Sequence, residues 1–264
     1  MPDPSLRNEF HALRLRVLED PVIAFRSLSA ADQTVQLECI AEKALPISRS
    51  FRLPAMKTVY RRGCSDSSLT PNDAVMEASK PTDDSSKTVG FSVSSDAKVG
   101  ELVVFGYIFE NDVFEPLEFQ QIDTARPNST VFPGVPHGSL PSLGGARFEP
   151  ELGIANFSNF VRSAQVFASD ADHTEPRLLS RLIVGPRSSQ RVPLRLESRD
   201  GLESSIVVIT DATDGKLVAN LNSTSAETEL PPVEVAVKDG HKASNAGQHP
   251  WSIANGNQRR EGWG

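Results

Sequence analysis

An internal repeat constrains the fold of this chain more than any other feature of its sequence. Ile23 begins a run of strand, turn, alternating strand, polar loop and strand, and Ile154 begins a similar run 131 residues later. A second pair of matching segments, 91–103 and 206–218, each predicts a hairpin with an Asp-rich turn, which ends at Gly100 in the first copy and at Gly215 in the second, 115 residues apart. The first copy therefore carries about 16 extra residues, which we assign to a long Ser/Thr/Asp-rich loop at 65–88.

Alternation with the period of a strand runs through most of the chain. Val35, Leu37 and Cys39, for example, are separated by single polar residues. Turn signals recur about every 8–15 residues, which is typical of a sandwich rather than of βαβ units. The segment 8–18 fits both a strand and a helical stripe, and we favour the strand. The pattern predicts an all-β chain of two tandem immunoglobulin-like β-sandwich domains related by the internal repeat.

The repeat also sets the expected domain boundaries. We place the first β-sandwich repeat at 1–125 and the second at 145–238, with a linker over 126–144. A polar C-terminal tail, 239–264, follows the second repeat, just as the linker follows the first. Two interpretations of the tail stay open, a simple extension or the start of a truncated third repeat. We expect the chain to be part of a longer protein.

Charge and hydropathy exclude two classes of partner. The formal net charge is −7, with acidic and basic residues interspersed. A nucleic-acid partner requires a concentrated basic patch, so we predict none. No apolar run reaches about 18 residues, so we predict no membrane span. The N-terminal residues lack the layout of a signal peptide, and a secreted or cell-surface location is expected if the chain is part of a longer one.

The two cysteines, Cys39 and Cys64, both lie in the first repeat. They form a disulfide in an oxidising compartment or stay two thiols in a reducing one, and the sequence leaves both alternatives open. No histidine lies at metal-ligand spacing from them, so they do not indicate a zinc site.

One loop of the second repeat concentrates the candidate metal ligands, which are Asp170, Asp172, His173 and Glu175. Oxygen ligands at alternating positions can hold Ca²⁺, but this loop lacks the glycine of a recognised calcium motif. A solvated loop is the simpler interpretation. None of the five histidines lies beside a nucleophile motif, and no nucleotide-binding glycine loop is present. We therefore predict no enzyme activity and no cofactor, with a metal-dependent enzyme at 170–175 as the weakest alternative.

Aromatic residues mark one strand of the first repeat. Phe105, Tyr107 and Phe109 share a strand face, and Val104 and Ile108 make the opposite face apolar as well. Exposed aromatic rings on a sandwich can stack on sugar rings, whereas a strand that is apolar on both sides is typical of burial between a sheet and its neighbour. We favour burial and keep ligand stacking as the alternative.

Three segments carry a resemblance to known proteins. They are Ile-Ala-Asn-Phe-Ser at 154–158, the Asp-Gly turn at 214–215 and Asn-Ala-Gly-Gln-His-Pro-Trp-Ser at 245–252. They resemble repeated β-sandwich modules of large uncharacterised exported proteins from soil bacteria, over most of 145–255 and more weakly over 8–120. The resemblance implies a fold and an exported setting, and no reaction.

We therefore expect a non-enzymatic structural or adhesion module of an exported bacterial repeat protein. Its expected partners are glycans, other surface proteins or neighbouring domains of the same polypeptide. The alternative is a carbohydrate-binding accessory module of a larger extracellular protein.

Overall fold

The computed structural model describes residues 6–17, 21–63, 68–69, 87–110, 113–123, 128–140, 146–169, 175–196, 204–225, 233–234 and 238–239. These ranges contain strands and turns and no helix, so the prediction of an all-β chain is confirmed for them. Within them, accordingly, no helix is long and apolar enough to cross a membrane. Most of the loop predicted at 65–88 and nearly all of the tail at 239–264 lie outside the described residues.

The first ten strands are β1 (Leu6–Val17), β2 (Val22–Ser27), β3 (Gln33–Ala41), β4 (Ile47–Leu53), β5 (Thr58–Arg62), β6 (Ser68–Leu69), β7 (Lys87–Ser95), β8 (Leu102–Glu110), β9 (Val113–Leu117) and β10 (Gln120–Asp123). The next ten are β11 (Ser129–Val135), β12 (Gly138–Leu140), β13 (Ala146–Asn156), β14 (Arg162–Ser169), β15 (Arg177–Val184), β16 (Ser188–Pro193), β17 (Ser204–Thr210), β18 (Leu217–Ser225), β19 (Val233–Glu234) and β20 (Lys238–Asp239). The strand preferred for segment 8–18 is confirmed as β1.

Among the described residues these strands form four antiparallel sheets. Sheet A has the order β10-β1-β7-β3-β4, and sheet B has the order β6-β5-β2-β8-β9. Sheet C has the order β15-β14-β17-β11-β20. Sheet D has the order β13-β18-β19, and both β12 and β16 pair with the other edge of β13.

Sheets A and B share one hydrophobic core, and together we call them the first sheet pair. Along β3 the burial alternates strictly at its start, so that Val35, Leu37 and Cys39 point into this core. They meet Ile23 and Phe25 from β2 of sheet B. Because successive side chains of a strand point to opposite faces, these residues form one apolar face of sheet A. The other face of the sheet can pack against a different partner.

Sheets C and D share a second core and form the second sheet pair. Phe132 and Val135 of β11 are fully buried in it. The linker predicted over 126–144 is therefore wrong for 129–135 and 138–140, which are strands of the second pair. Pro133 and Gly134 interrupt the strand pattern of this segment, so the sequence does not predict the strand. In the sheet, the register of β11 against β17 shifts between Phe132 and Val135, which accommodates the proline.

The Asp-rich turns do not close hairpins, contrary to the sequence interpretation. The turn after β7 leads into β8, which belongs to the other sheet of the first pair. Asp96 Oδ1 accepts a hydrogen bond of 2.8 Å from Thr34 N, which anchors the turn to β3, and Gly100 supplies the positive φ of 87°. In the second pair the turn from β17 to β18 likewise joins two sheets, with Asp211 Oδ2 accepting from Ser163 N. Asp and Gly therefore stabilise turns that connect one sheet to the other, which are longer than hairpin turns.

Candidate functional site

The outer face of sheet A packs against the outer face of sheet D. A small apolar cluster joins them, built from Leu13 and Ile40 of sheet A with Ala155 and Phe157 from the sheet D side. Leu13 and Ile40 are both cross-strand partners of Gly90 on β7, so the three positions form one row across sheet A. The two sheet pairs therefore meet through a continuous apolar row.

Glycines allow the two sheets to approach closely. A Cβ atom at position 153 would lie 2.6 Å from Leu15 Cδ1, and one at position 90 would lie 2.9 Å from Phe157 Cζ and 3.1 Å from Ala155 Cβ. Neither glycine has a positive φ, so the close approach explains them better than backbone conformation does. A larger residue at either position would require Leu15 or Phe157 to shift, or the two sheets to separate.

Polar contacts complete this interface. Asn220 Nδ2 donates to Leu13 O at 2.8 Å, and Ser189 Oγ donates to Thr88 O at 3.0 Å, both in buried surroundings. Arg187 forms an ion pair with Glu38: Nη2 donates to Oε2 at 3.1 Å, and Nε lies 3.0 Å from Oε1. Directional bonds of this kind fix the relative register of the two sheets as well as their distance.

His11 is a fully buried titratable group of the interface. Its ring stacks on Phe157 with centroids 4.2 Å apart, and Nε2 donates to Glu9 Oε1 at 3.0 Å. Burial lowers the pKa of His11 below its usual value, and the adjacent Glu9 carboxylate opposes that shift only in part. Burial raises the pKa of Glu9, but His11 and Lys216 outweigh it and bring that pKa below its usual range.

We expect mild acid to lower the free energy of unfolding. Because the pKa of His11 is lower when folded than the unfolded value of about 6.5, the unfolded state binds more protons as the pH falls through that value. Stability should therefore drop between about pH 7 and the folded pKa. The lowered pKa of Glu9 adds a second loss below about pH 4.5.

Urea midpoints measured from pH 7.5 to 5 for the parent and for His11→Phe test this prediction. Phenylalanine keeps a ring against Phe157 and cannot be protonated, so the variant should lose the part of the pH dependence that lies near pH 6. Parallel pH profiles for the two proteins would contradict the assignment to His11.

A polar cleft opens beside the apolar row. Beyond Gly90, the outer face of sheet A changes to polar side chains in two cross-strand rows. One row is His11, Ser92, Glu38 and Ser48, and the other is Glu9, Ser94 and Gln36. The segment 157–160 and the turn that contains Asp214 and Lys216 line the opposite wall. The cleft has a volume of about 330 Å³ and lies where the two sheet pairs meet.

A buried asparagine holds the wall of this cleft. Asn156 is fully buried, and its Nδ2 donates to Phe160 O and to Gly185 O, each at 2.8 Å. Its Oδ1 accepts from Ser158 N at 3.0 Å and from Ser158 Oγ at 2.7 Å. The segment 157–160 is thereby fixed in a tight turn that places Phe157 in the interface and leaves Phe160 69% exposed. Sequence reasoning singled out 154–158 as a motif but assigned it no contact.

Each carboxylate that lines the cleft has a cationic partner. Glu38 pairs with Arg187, as above. Asp214 accepts from Arg162 Nη2 at 2.6 Å, and Lys216 Nζ lies 3.3 Å from Glu9 Oε1. The charges of the cleft are therefore compensated within the protein.

The aromatic strand lies elsewhere, on the outer face of sheet B. Phe105 and Tyr107 share that face of β8, because Ala24 and Val22 of β2 are their cross-strand partners. Phe105 is 45% exposed beside an apolar groove of about 520 Å³, but Tyr107 is only 8% exposed. Burial, and secondly the neighbouring Tyr60, raise the pKa of Tyr107. The side chain of Phe109 lies outside the described part.

The other candidate residues are only partly described. Asp170, Asp172 and His173 lie outside the described residues, and Glu175 is exposed. In the described ranges no group of three or more His, Cys, Asp or Glu side chains is placed to hold a metal ion. Cys39 is disulfide-bonded, and Cys64, the one other cysteine of the sequence, falls in a stretch that the structure does not describe.

Comparison with known proteins does not assign this chain to a family. No protein-family model matches the sequence, and no curated protein matches it.

Proposed function

We propose that this chain is a non-enzymatic structural or adhesion module of an exported bacterial protein, in which two immunoglobulin-like β-sandwiches dock into one rigid unit. The observation that carries the proposal is the interface between sheets A and D. Its close-approach glycines, buried hydrogen bonds and ion pair between Arg187 and Glu38 are features of a fixed joint, whereas domains that move freely meet through smaller and looser contacts.

Strand order supports the idea that the two sandwiches are copies of one unit. If the strands of each sheet are numbered by their order along the chain, sheet A (β4-β3-β7-β1-β10) and sheet C (β15-β14-β17-β11-β20) have the same strand order. The order β5-β2-β8-β9 of sheet B matches β16-β13-β18-β19 of sheet D in the same way. The connection from β7 to β8 crosses between sheets, unlike the last strand pair of an immunoglobulin constant domain, so the proposed likeness is of layers and not of full connectivity.

The disulfide at Cys39 supports the exported setting, since structural disulfides persist in oxidising compartments and are rare in a reducing cytosol.

The double variant Gly90→Ala/Gly153→Ala tests the rigid joint. Each added Cβ overlaps atoms of the facing sheet, and overpacking of this kind costs about 1–3 kcal/mol per site. Alanine also tolerates the strand backbone at both positions. We expect a larger radius of gyration in X-ray scattering and a lower melting temperature.

Gly185→Ala is the matched control. There only Ser188 Oγ, in the same turn, lies within 4 Å of an added Cβ, so the substitution meets no atom of sheet A. A double variant that scatters and melts like this control would show that the joint is not tightly packed and would overturn the proposal.

A second candidate function is a carbohydrate-binding accessory module that uses the face of Phe105. The half-exposed ring beside the apolar groove favours it, and the burial of Tyr107 weighs against a flat row of stacking rings.

A further inference from the structure

We propose that the polar cleft between sheet A and the segment 157–160 binds a neutral sugar unit of a glycan, with Phe160 as the stacking platform. The site is distinct from the Phe105 face that the aromatic pattern singled out. It exists only while the sheet pairs are docked, so the proposal rests on the rigid joint described above.

Charge compensation indicates that the ligand is neutral. Glu9, Glu38 and Asp214 are each paired with a cationic side chain in or beside the cleft. An anionic ligand would find the cations already occupied, and a cationic ligand would find the carboxylates occupied. Breaking such a pair without replacing it leaves a desolvated charge, which is costly.

The remaining groups of the cleft suit a polyhydroxylated ligand. Gln36 and Asn159 offer amide donors and acceptors, and Ser48 and Ser94 offer hydroxyl groups that both donate and accept. Sugar hydroxyls have the same dual character, so a pyranose ring can exchange several hydrogen bonds with this wall. The volume of about 330 Å³ is at the small end of ligand sites and fits one or two sugar units.

Phe160 supplies the apolar element that sugar recognition needs. Its ring is 69% exposed, although its backbone is held by Asn156 and Ser158. An aromatic ring carries partial negative charge on its face, and the C–H face of a pyranose presents partial positive hydrogens to it. Because the turn is fixed before binding, little conformational entropy is lost when a ring stacks there.

Affinity electrophoresis through gels that contain laminarin, xylan, galactomannan or dextran tests the proposal, with polygalacturonate as an anionic comparison. We expect at least one neutral polymer to retard the parent protein and polygalacturonate to have no effect. Phe160→Ala should weaken the binding about tenfold, and Gln36→Ala should weaken it to a smaller extent. Both side chains are exposed, so the variants should melt like the parent.

The matched control is Phe105→Ala, which truncates a half-exposed ring on the other outer face and should bind like the parent. Loss of binding in Phe105→Ala with retention in Phe160→Ala would move the site to sheet B and overturn the proposal. If none of the four neutral polymers slowed the migration of the parent protein, the proposal would also be overturned. Scattering of the parent and of Gly90→Ala/Gly153→Ala reports on the joint independently, so failure of the cleft and failure of the joint are distinguishable.

Discussion

Replacing Phe25 by alanine is expected to lower the free energy of unfolding of the first sheet pair by about 3–5 kcal/mol. The ring is fully buried in the first core and meets Phe51 edge-on, with centroids 5.0 Å apart. Truncation therefore removes the free energy gained by burying the ring and leaves a cavity that the surrounding strands cannot fill. Urea unfolding followed by fluorescence should show a lower midpoint at an unchanged m value.

Phe105→Ala provides the comparison for this result. Phe105 is 45% exposed, so water already contacts much of the ring, and we expect a loss of only about 1 kcal/mol. The structure thus leaves Phe105 half-exposed, where the sequence pattern favours burial and keeps ligand stacking as the alternative. Equal losses in the two variants would mean that the outer face of sheet B is covered in solution.

Loss of the disulfide is the second change with a large expected effect. Cys39→Ala should lower the unfolding free energy by about 3 kcal/mol, because a disulfide restricts the unfolded chain. Cys39 is buried in the first core, and alanine keeps that position apolar. Urea midpoints with and without dithiothreitol measure the effect.

The parent treated with dithiothreitol should approach the stability of Cys39→Ala, while the variant itself should not respond to the reductant. A parent whose midpoint is unchanged by full reduction, confirmed by thiol titration, would contradict a stabilising role for the bridge.

Much of the local structure follows from short-range sequence pattern. The alternation at Val35, Leu37 and Cys39 places these residues on one side of β3, since the side-chain period of a strand is fixed at two. The same argument separates Phe105 from Val104 on β8. The glycines at 100 and 215 have the positive φ expected of turn residues. These features depend on neighbours within a few residues, so the sequence alone determines them.

Only the tertiary structure decides which strands pair and which faces meet. Alternation tells which side chains share a face but not which strand lies alongside, and so β7 and β8 were expected to pair although they lie in different sheets. Pro133 and Gly134 interrupt the strand pattern, and the bulge that accommodates them exists only once β17 lies alongside. The cleft brings Glu9 next to Lys216 and Glu38 next to Arg187, pairs that are far apart in the chain. No local pattern encodes such contacts, because they arise when sheet A and sheet D dock through Gly90 and Gly153 and hold distant residues within bonding distance.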